Sequence, residues 1–119
     1  MKGYLQRHGI DFPEVYAPVS SKAGLRILLS AITHRKMFVW QLDIKTASLH
    51  GVLEPDLDLY CYQPEGFKEL GPDGSPLVCK LIKSLYELKQ APRKWSQLVN
   101  KVLTDHSFTM SRAEPALLF

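Results

Sequence analysis

The hydrophobic positions of this chain fall into two helical stripes and three short strand-like runs. Leu25, Leu28, Leu29 and Ile32 recur at i, i+3, i+4 and i+7. That spacing lines one helix face and predicts an amphipathic helix over about 22–35. Ser20 and Ser21 precede it as candidate N-caps, because a serine oxygen can accept the first free backbone amides. Trp95, Leu98, Val99, Val102, Leu103 and His106 draw a second stripe, opened by Pro92. Proline suits the first helical turn, where its missing amide costs nothing. Between the stripes, "FVWQLDI" (38–44) is short and rich in β-branched and aromatic residues, which predicts a strand. "LDLYCYQ" (57–63) alternates and is closed by Pro64, and "LVCKLIK" (77–83) follows the turn-forming "GPDGSP" (71–76). These two runs are expected to pair as a hairpin across 63–76. Pro13 and Pro18 push residues before them away from helix, so the first 19 residues read as extended or loop. The chain stops on "PALLF", an apolar run that reads as a strand just beginning. The sum is an α+β pattern: a small antiparallel sheet packed on two amphipathic helices.

The composition fits a globular chain. Of 119 residues, 45% are hydrophobic and 23% charged, enough to allow one core. A net charge of +3 permits a polyanionic partner without requiring one. Cys61 and Cys79 are far apart, form no Cys-x-x-Cys motif, and read as two ordinary buried thiols in a reducing compartment. His8, His34, His50 and His106 are scattered and offer no metal-ligand spacing. No run approaches the ~18 apolar residues of a membrane span, and the N-terminus lacks the apolar stretch of a signal peptide. An intracellular, soluble protein is the expectation.

One residue stands out chemically. "FVWQLDIKTASLHG" places a single carboxylate, Asp43, near the end of an apolar run. Such an acid is either a paired structural residue or a ligand.

Five blocks bear on that choice: "GIDFPEVYAPVS", "QLDIKTASLHG", "YQPEGF", "VCKLIKSLYELKQAPRKW" and "SRAEPALLF". In this order and spacing they resemble the reverse transcriptase of copia-type long-terminal-repeat retrotransposons. The likeness covers essentially the whole chain, and "LYELKQAPRKW" is its most diagnostic part. It implies a partial polymerase domain, with fingers roughly at 1–19 and 51–93 and palm roughly at 20–50 and 94–119. In the intact family the palm holds three carboxylates and two Mg²⁺ ions, and the partners are an RNA or DNA template-primer and a dNTP. The rest of a Pol polyprotein is expected downstream, in the cytoplasm, with a virus-like particle or the nucleus as further locations for the parent element.

The resemblance also assigns residues. Asp43 matches the first of the three carboxylates, a catalytic metal ligand. Ile44, Lys45, Thr46, Ala47 and Ser48 match the turn facing the triphosphate, where backbone amides suit an anion. Gln90 matches a glutamine near the incoming nucleotide; a loop amide making local backbone bonds is the equal alternative. Arg93 and Lys94 match positions that could contact template phosphates, against the alternative of a solvated helix start. The family's other two carboxylates lie in a Tyr-x-Asp-Asp turn, and this sequence has no Asp-Asp pair. Mg²⁺ belongs to the intact domain and is not expected to bind this chain stably, since affinity follows ligand count. The expectation is therefore a chain catalytically incomplete by itself. The alternatives are an element-derived module that binds nucleic acid or a partner without catalysis, and a decayed copy.

Three positions depart from the family pattern. Ser48 replaces a Phe or Tyr that excludes the 2′-hydroxyl by bulk. Glu87 replaces a Gly, and carries a backbone penalty if that position has φ > 0. Segment 54–62 runs longer than the family pattern. The stripe of the second helix is expected to be core, and Tyr60, Tyr62 and Tyr86 are expected to pack.

Overall fold

The first helix begins where Ser21 stops the extended chain. In the computed structural model, which describes residues 3–119, Ser21 sits at φ −71°, ψ 149° and its side-chain oxygen accepts from the Gly24 amide at 2.9 Å. Met1 and Lys2, the first positions of the expected fingers segment, lie outside the described residues. Of the two candidate caps, Ser21 is the one used, and α1 runs Lys22–His34. The same hydroxyl donates to Glu114 Oε2 at 2.6 Å, tying the helix start to the C-terminal segment. The helix forms as the periodicity predicts, but its apolar stripe is not core. Leu25, Leu28 and Leu29 stay 50%, 39% and 48% exposed, and α1 buries no residue. A cap and local propensity are enough to define this helix without a covered face.

The hairpin expected between the second and third apolar runs is present. β1 (Tyr60–Tyr62) pairs antiparallel with β2 (Val78–Lys80) in the register Tyr60↔Lys80, Cys61↔Cys79, Tyr62↔Val78. It is shorter than the runs that announced it. Isolated bridges Val52↔Lys83 and Leu70↔Pro76 continue the pairing on either side. The Gln63 amide fastens the ends of the connecting loop by donating to the Glu69 and Leu77 carbonyls at 3.0 and 2.7 Å. Gly74, at φ 78°, makes the left-handed turn that a side chain would resist.

The third expected strand does not form. Residues 38–44 form no regular element and join no ladder among the described residues, and Phe38, Trp40 and Leu42 are 95%, 88% and 84% exposed. Composition favours a strand there, but a strand exists only when a neighbour takes its amides and carbonyls. The sheet is therefore two-stranded. Tyr60, Tyr62 and Tyr86 are likewise exposed rather than packed. "PALLF" does find a partner, by folding back on its own approach. Thr109 and Phe119 exchange backbone hydrogen bonds of 2.7 and 2.9 Å, and Met110 bridges Leu118.

The second helix, α2, spans Ala91–Asp105 with proline in its first turn, as expected. Trp95, Leu98, Val99 and Leu103 are half-buried and Val102 is exposed. The true core lies at the helix start. Leu53, Leu59, Leu88 and Ala91 are buried together, with Leu57, Leu81 and Leu85 against them. This cluster joins the hairpin to the start of α2 and leaves α1 apart. The shape follows: the radius of gyration is 19.1 Å, against about 13.5 Å for a compact chain of this length. A small α+β architecture is present, but much of its apolar surface lies outside the one core.

Two tight approaches fix the middle of the chain. Gly51 has no room for a side chain, since a Cβ would lie 2.6 Å from both Lys94 Cβ and Ser84 Oγ. Gly3 lies against the backbone of Glu87, whose carbonyl oxygen would sit 1.7 Å from an added Cβ. Glu87 itself has φ 73°. A glycine, which the resemblance expects at this position, would suit this left-handed backbone better than the glutamate. Replacing Glu87→Gly is expected to raise stability by about 1 kcal/mol, read as a higher urea midpoint at unchanged m-value.

Candidate functional site

The site expected from the sequence divides into an exposed half and a packed half. Asp43 lies in the exposed half. It is solvent-accessible, in the unpaired segment 38–44, and has no hydrogen-bond or ion-pair partner among the described residues. The paired-structural reading of this acid therefore has no support here. Ile44 and Lys45 are exposed beside it. Thr46 then takes a left-handed conformation, φ 54° and ψ 33°, and turns the chain into a single 3-10 turn, Ala47–Leu49. The Thr46 carbonyl accepts from the Leu49 amide at 2.8 Å, and the Ala47 carbonyl from His50 at 3.2 Å.

From Ala47 onward the segment is packed. The 3-10 turn rests on α2, and the His50 and Trp95 rings stand 6.1 Å apart. Ser84 organises the junction. Its amide donates to the Gly51 carbonyl at 2.8 Å, and its fully buried hydroxyl donates to the carbonyls of Ser48 and Gly51. Ser48, where the resemblance expects an aromatic ring, is half-buried, with its carbonyl engaged by Ser84.

Gln90 is enclosed, at 1% exposure. Its carbonyl oxygen accepts from Gln6 Nε2 at 3.0 Å and its Nε2 donates to the Asp11 carbonyl at 3.2 Å. Gln6 returns the link by accepting from the Lys89 amide at 2.8 Å. These are the bonds of a structural amide, fixing residues 6–11 to the start of α2. Both polar ends of Gln90 have protein partners.

The basic pair is also engaged. Arg93 makes a 2.7 Å ion pair with Glu14 and donates to the Tyr16 carbonyl at 3.5 Å. Lys94 has a side chain only 10% exposed and hydrogen-bonds Glu54. Neither is the solvated helix start that was the alternative reading. Burial pushes Glu54 upward, but the hydrogen bond and charge of Lys94, with a backbone hydrogen bond and the charge of Arg93, outweigh it. The net effect holds Glu54 below its usual value.

Among the described residues no three His, Cys, Asp or Glu side chains group as a metal site. Asp43 alone is a poor match to two magnesium ions, which need converging oxygens. The structure thus brings together residues 47–51, Ser84 and Lys94, fixes Gln90 and Arg93 to the N-terminal segment, and leaves Asp43 outside. Sequence reasoning missed Ser84, Gln6, Glu14 and Glu54. Each acts through a partner at least 33 positions away, and no local pattern signals such pairs.

The chain belongs to the reverse transcriptase (RNA-dependent DNA polymerase) family, whose model matches residues 1–119. Its relatives include the retrovirus-related Pol polyprotein from transposon TNT 1-94 of Nicotiana tabacum, 41% identical over 119 residues. That alignment covers 100% of this chain and 9% of the relative. The corresponding polyprotein from transposon RE1 of Arabidopsis thaliana is 40% identical over 116 residues, covering 98% of this chain and 8% of the relative. The putative transposon Ty5-1 protein of Saccharomyces cerevisiae is 35% identical over 79 residues, covering 66% of this chain and 24% of that protein. The chain thus spans less than a tenth of the two plant polyproteins. No solved structure matches it significantly.

Two outcomes follow from the packed half. Gln90→Leu removes one partner each from Gln6 and the Asp11 carbonyl, and is expected to lower stability by about 1–3 kcal/mol in urea denaturation. Glu54 has a depressed pKa when folded, so its contribution is present above the ordinary value of 4.5 and fades as pH falls through the lower folded value. Acid titration of stability should therefore show a loss below about pH 4.5 that is smaller in Glu54→Gln.

Proposed function

We propose that this chain is a fingers-and-palm portion of a copia-type retrotransposon RNA-directed DNA polymerase, and that it does not polymerise on its own. The observation that carries this reading is the family match across all 119 residues. In this reading, Asp43 takes the first metal-binding carboxylate position of the palm. Residues Ile44 to Ser48 take the triphosphate side. Magnesium held by a full carboxylate set would activate the primer oxygen and steady the triphosphate. Of such a set this chain offers Asp43, and the sequence has no Asp-Asp pair to complete it.

The packed residues have a different task in this reading. Gln90, through Gln6 and Asp11, holds the N-terminal fingers segment against the start of α2. Ser84 holds the turn after Ala47 to the segment that leads into the same helix. Arg93 and Lys94 are each matched by a carboxylate, so template contact would first require an exchange of partners, from Glu14 and Glu54 to phosphate. That exchange weakens the alternative of a chain that binds nucleic acid through these two residues.

The test is primer extension. The purified chain, given a primed RNA template, dNTPs and Mg²⁺, is expected to add no nucleotide above a no-protein control. Extension that Asp43→Asn abolishes would overturn the incompleteness. Binding of an RNA–DNA hybrid that weakens steeply with salt, without extension, would favour the binding-module reading.

A further inference from the structure

The hairpin places two thiols where the sequence reading had two unrelated ones. Cys61 and Cys79 are direct partners in the β1–β2 register. Directly opposed residues of an antiparallel pair project on the same face. The Leu81 amide donates to the Leu59 carbonyl at 2.8 Å, so the next opposed pair on the same hydrogen-bonded rung pattern is Cys61 with Cys79. Opposed residues at such a rung have Cα atoms about 5.5 Å apart, inside the range of about 4.4–6.8 Å that a disulfide spans. Both cysteines are free and half-buried. Cys61 also lines an open cleft of about 610 Å³ between the hairpin and Leu5, Gln6 and Asp11, so a small reagent can reach it.

We propose that Cys61 and Cys79 form a reversible cross-strand modification site, closed to an internal disulfide by a low-molecular-weight disulfide of the glutathione type. The thiolate of one cysteine attacks a sulfur of oxidised glutathione, forming a mixed disulfide and releasing one glutathione thiolate. The second cysteine, as thiolate, then displaces the other glutathione and forms the Cys61–Cys79 bond. Two protein thiols are oxidised and one glutathione disulfide is reduced to two thiols, which take up the two protons lost. Burial, followed by the charge and hydrogen bond of Cys79, pushes the Cys61 thiol up. A raised thiol is a slow nucleophile, which suits a site set by the prevailing redox balance rather than a catalytic cysteine. The closed bond would tie the hairpin ends across the 63–76 loop.

The test uses the full chain equilibrated with defined ratios of oxidised and reduced glutathione, then acid-quenched and read by intact-mass and peptide mass spectrometry. The expected product is two hydrogens lighter, is joined through Cys61 and Cys79, and is reopened by dithiothreitol. The double variant Cys61→Ala with Tyr62→Cys moves the thiol to the opposite face at nearly the same chain separation. The effective concentration of one thiol for the other should be at least about tenfold higher in the natural sequence than in this variant. The same margin is expected over the natural sequence unfolded in urea, a reference that does not depend on the variant folding. Equal effective concentrations in folded and urea-unfolded chain, or a mixed glutathione adduct on each cysteine in place of the internal bond, would overturn the proposal.

Discussion

The short stretch from Ser84 to Ala91 is what the rest of this structure hangs on. Leu88 and Ala91 are buried in the one core, with Leu85 beside them. Ser84 and Gln90, its two buried polar side chains, each reach a distant segment. Ser84 draws in the turn at 48–51, and Gln90 draws in residues 6–11. A buried hydroxyl or amide is costly without partners, so these bonds also select which segments can dock. Every buried side-chain nitrogen and oxygen among the described residues has a partner. Packing and polar satisfaction therefore specify the same arrangement, and Glu87 is the one residue in the stretch whose backbone is placed against its preference.

Local patterns were legible and distant ones were not. Ser21, the periodicity of Leu25 to Ile32, and Pro92 announced both helices because capping and helical spacing are short-range effects. Proline, glycine and aspartate at 71–76 announced the hairpin for the same reason. At Glu87 the sequence raised only a condition, a penalty if φ were positive, and the backbone meets that condition at φ 73°. The strand expected at 38–44 shows the limit of such reasoning. Its residues have the propensity, but a ladder is a relation between two segments, and no described segment pairs with this one. The same applies to the α1 stripe: periodicity states which face is apolar and says nothing of what covers it. Cys61 and Cys79 show the reverse case, since 17 residues of intervening sequence hide a pairing that the register makes direct.

The candidate site divides along the same line. Asp43, the position that carries chemistry in the family reading, lies in the least packed part of the chain. The diagnostic block "LYELKQAPRKW" lies in the best packed part. Its residues mostly build the scaffold: Leu88 and Ala91 are core, Gln90 is a buried tie, and Arg93 and Lys94 are matched by Glu14 and Glu54. A motif can be recognisable because it is needed for docking rather than because its side chains touch substrate. The resemblance carried by this block thus bears on membership of the family more directly than on any residue's role in the reaction.

This separation bears on how a metal could be held. Two divalent ions a few ångströms apart need several oxygens converging from elements that are themselves fixed. The packed half of this chain supplies fixed elements but spends its nearby carboxylates, Glu14 and Glu54, on Arg93 and Lys94. The exposed half supplies a free carboxylate on a segment held by no ladder. Freeing Glu54 would leave the mostly covered Lys94 ammonium without its carboxylate, a loss that opposes moving Glu54 to a metal. The carboxylates of the packed half are therefore committed to holding the fold, and Asp43 is left as a single exposed carboxylate, whose proposed role depends on groups brought to it from other segments.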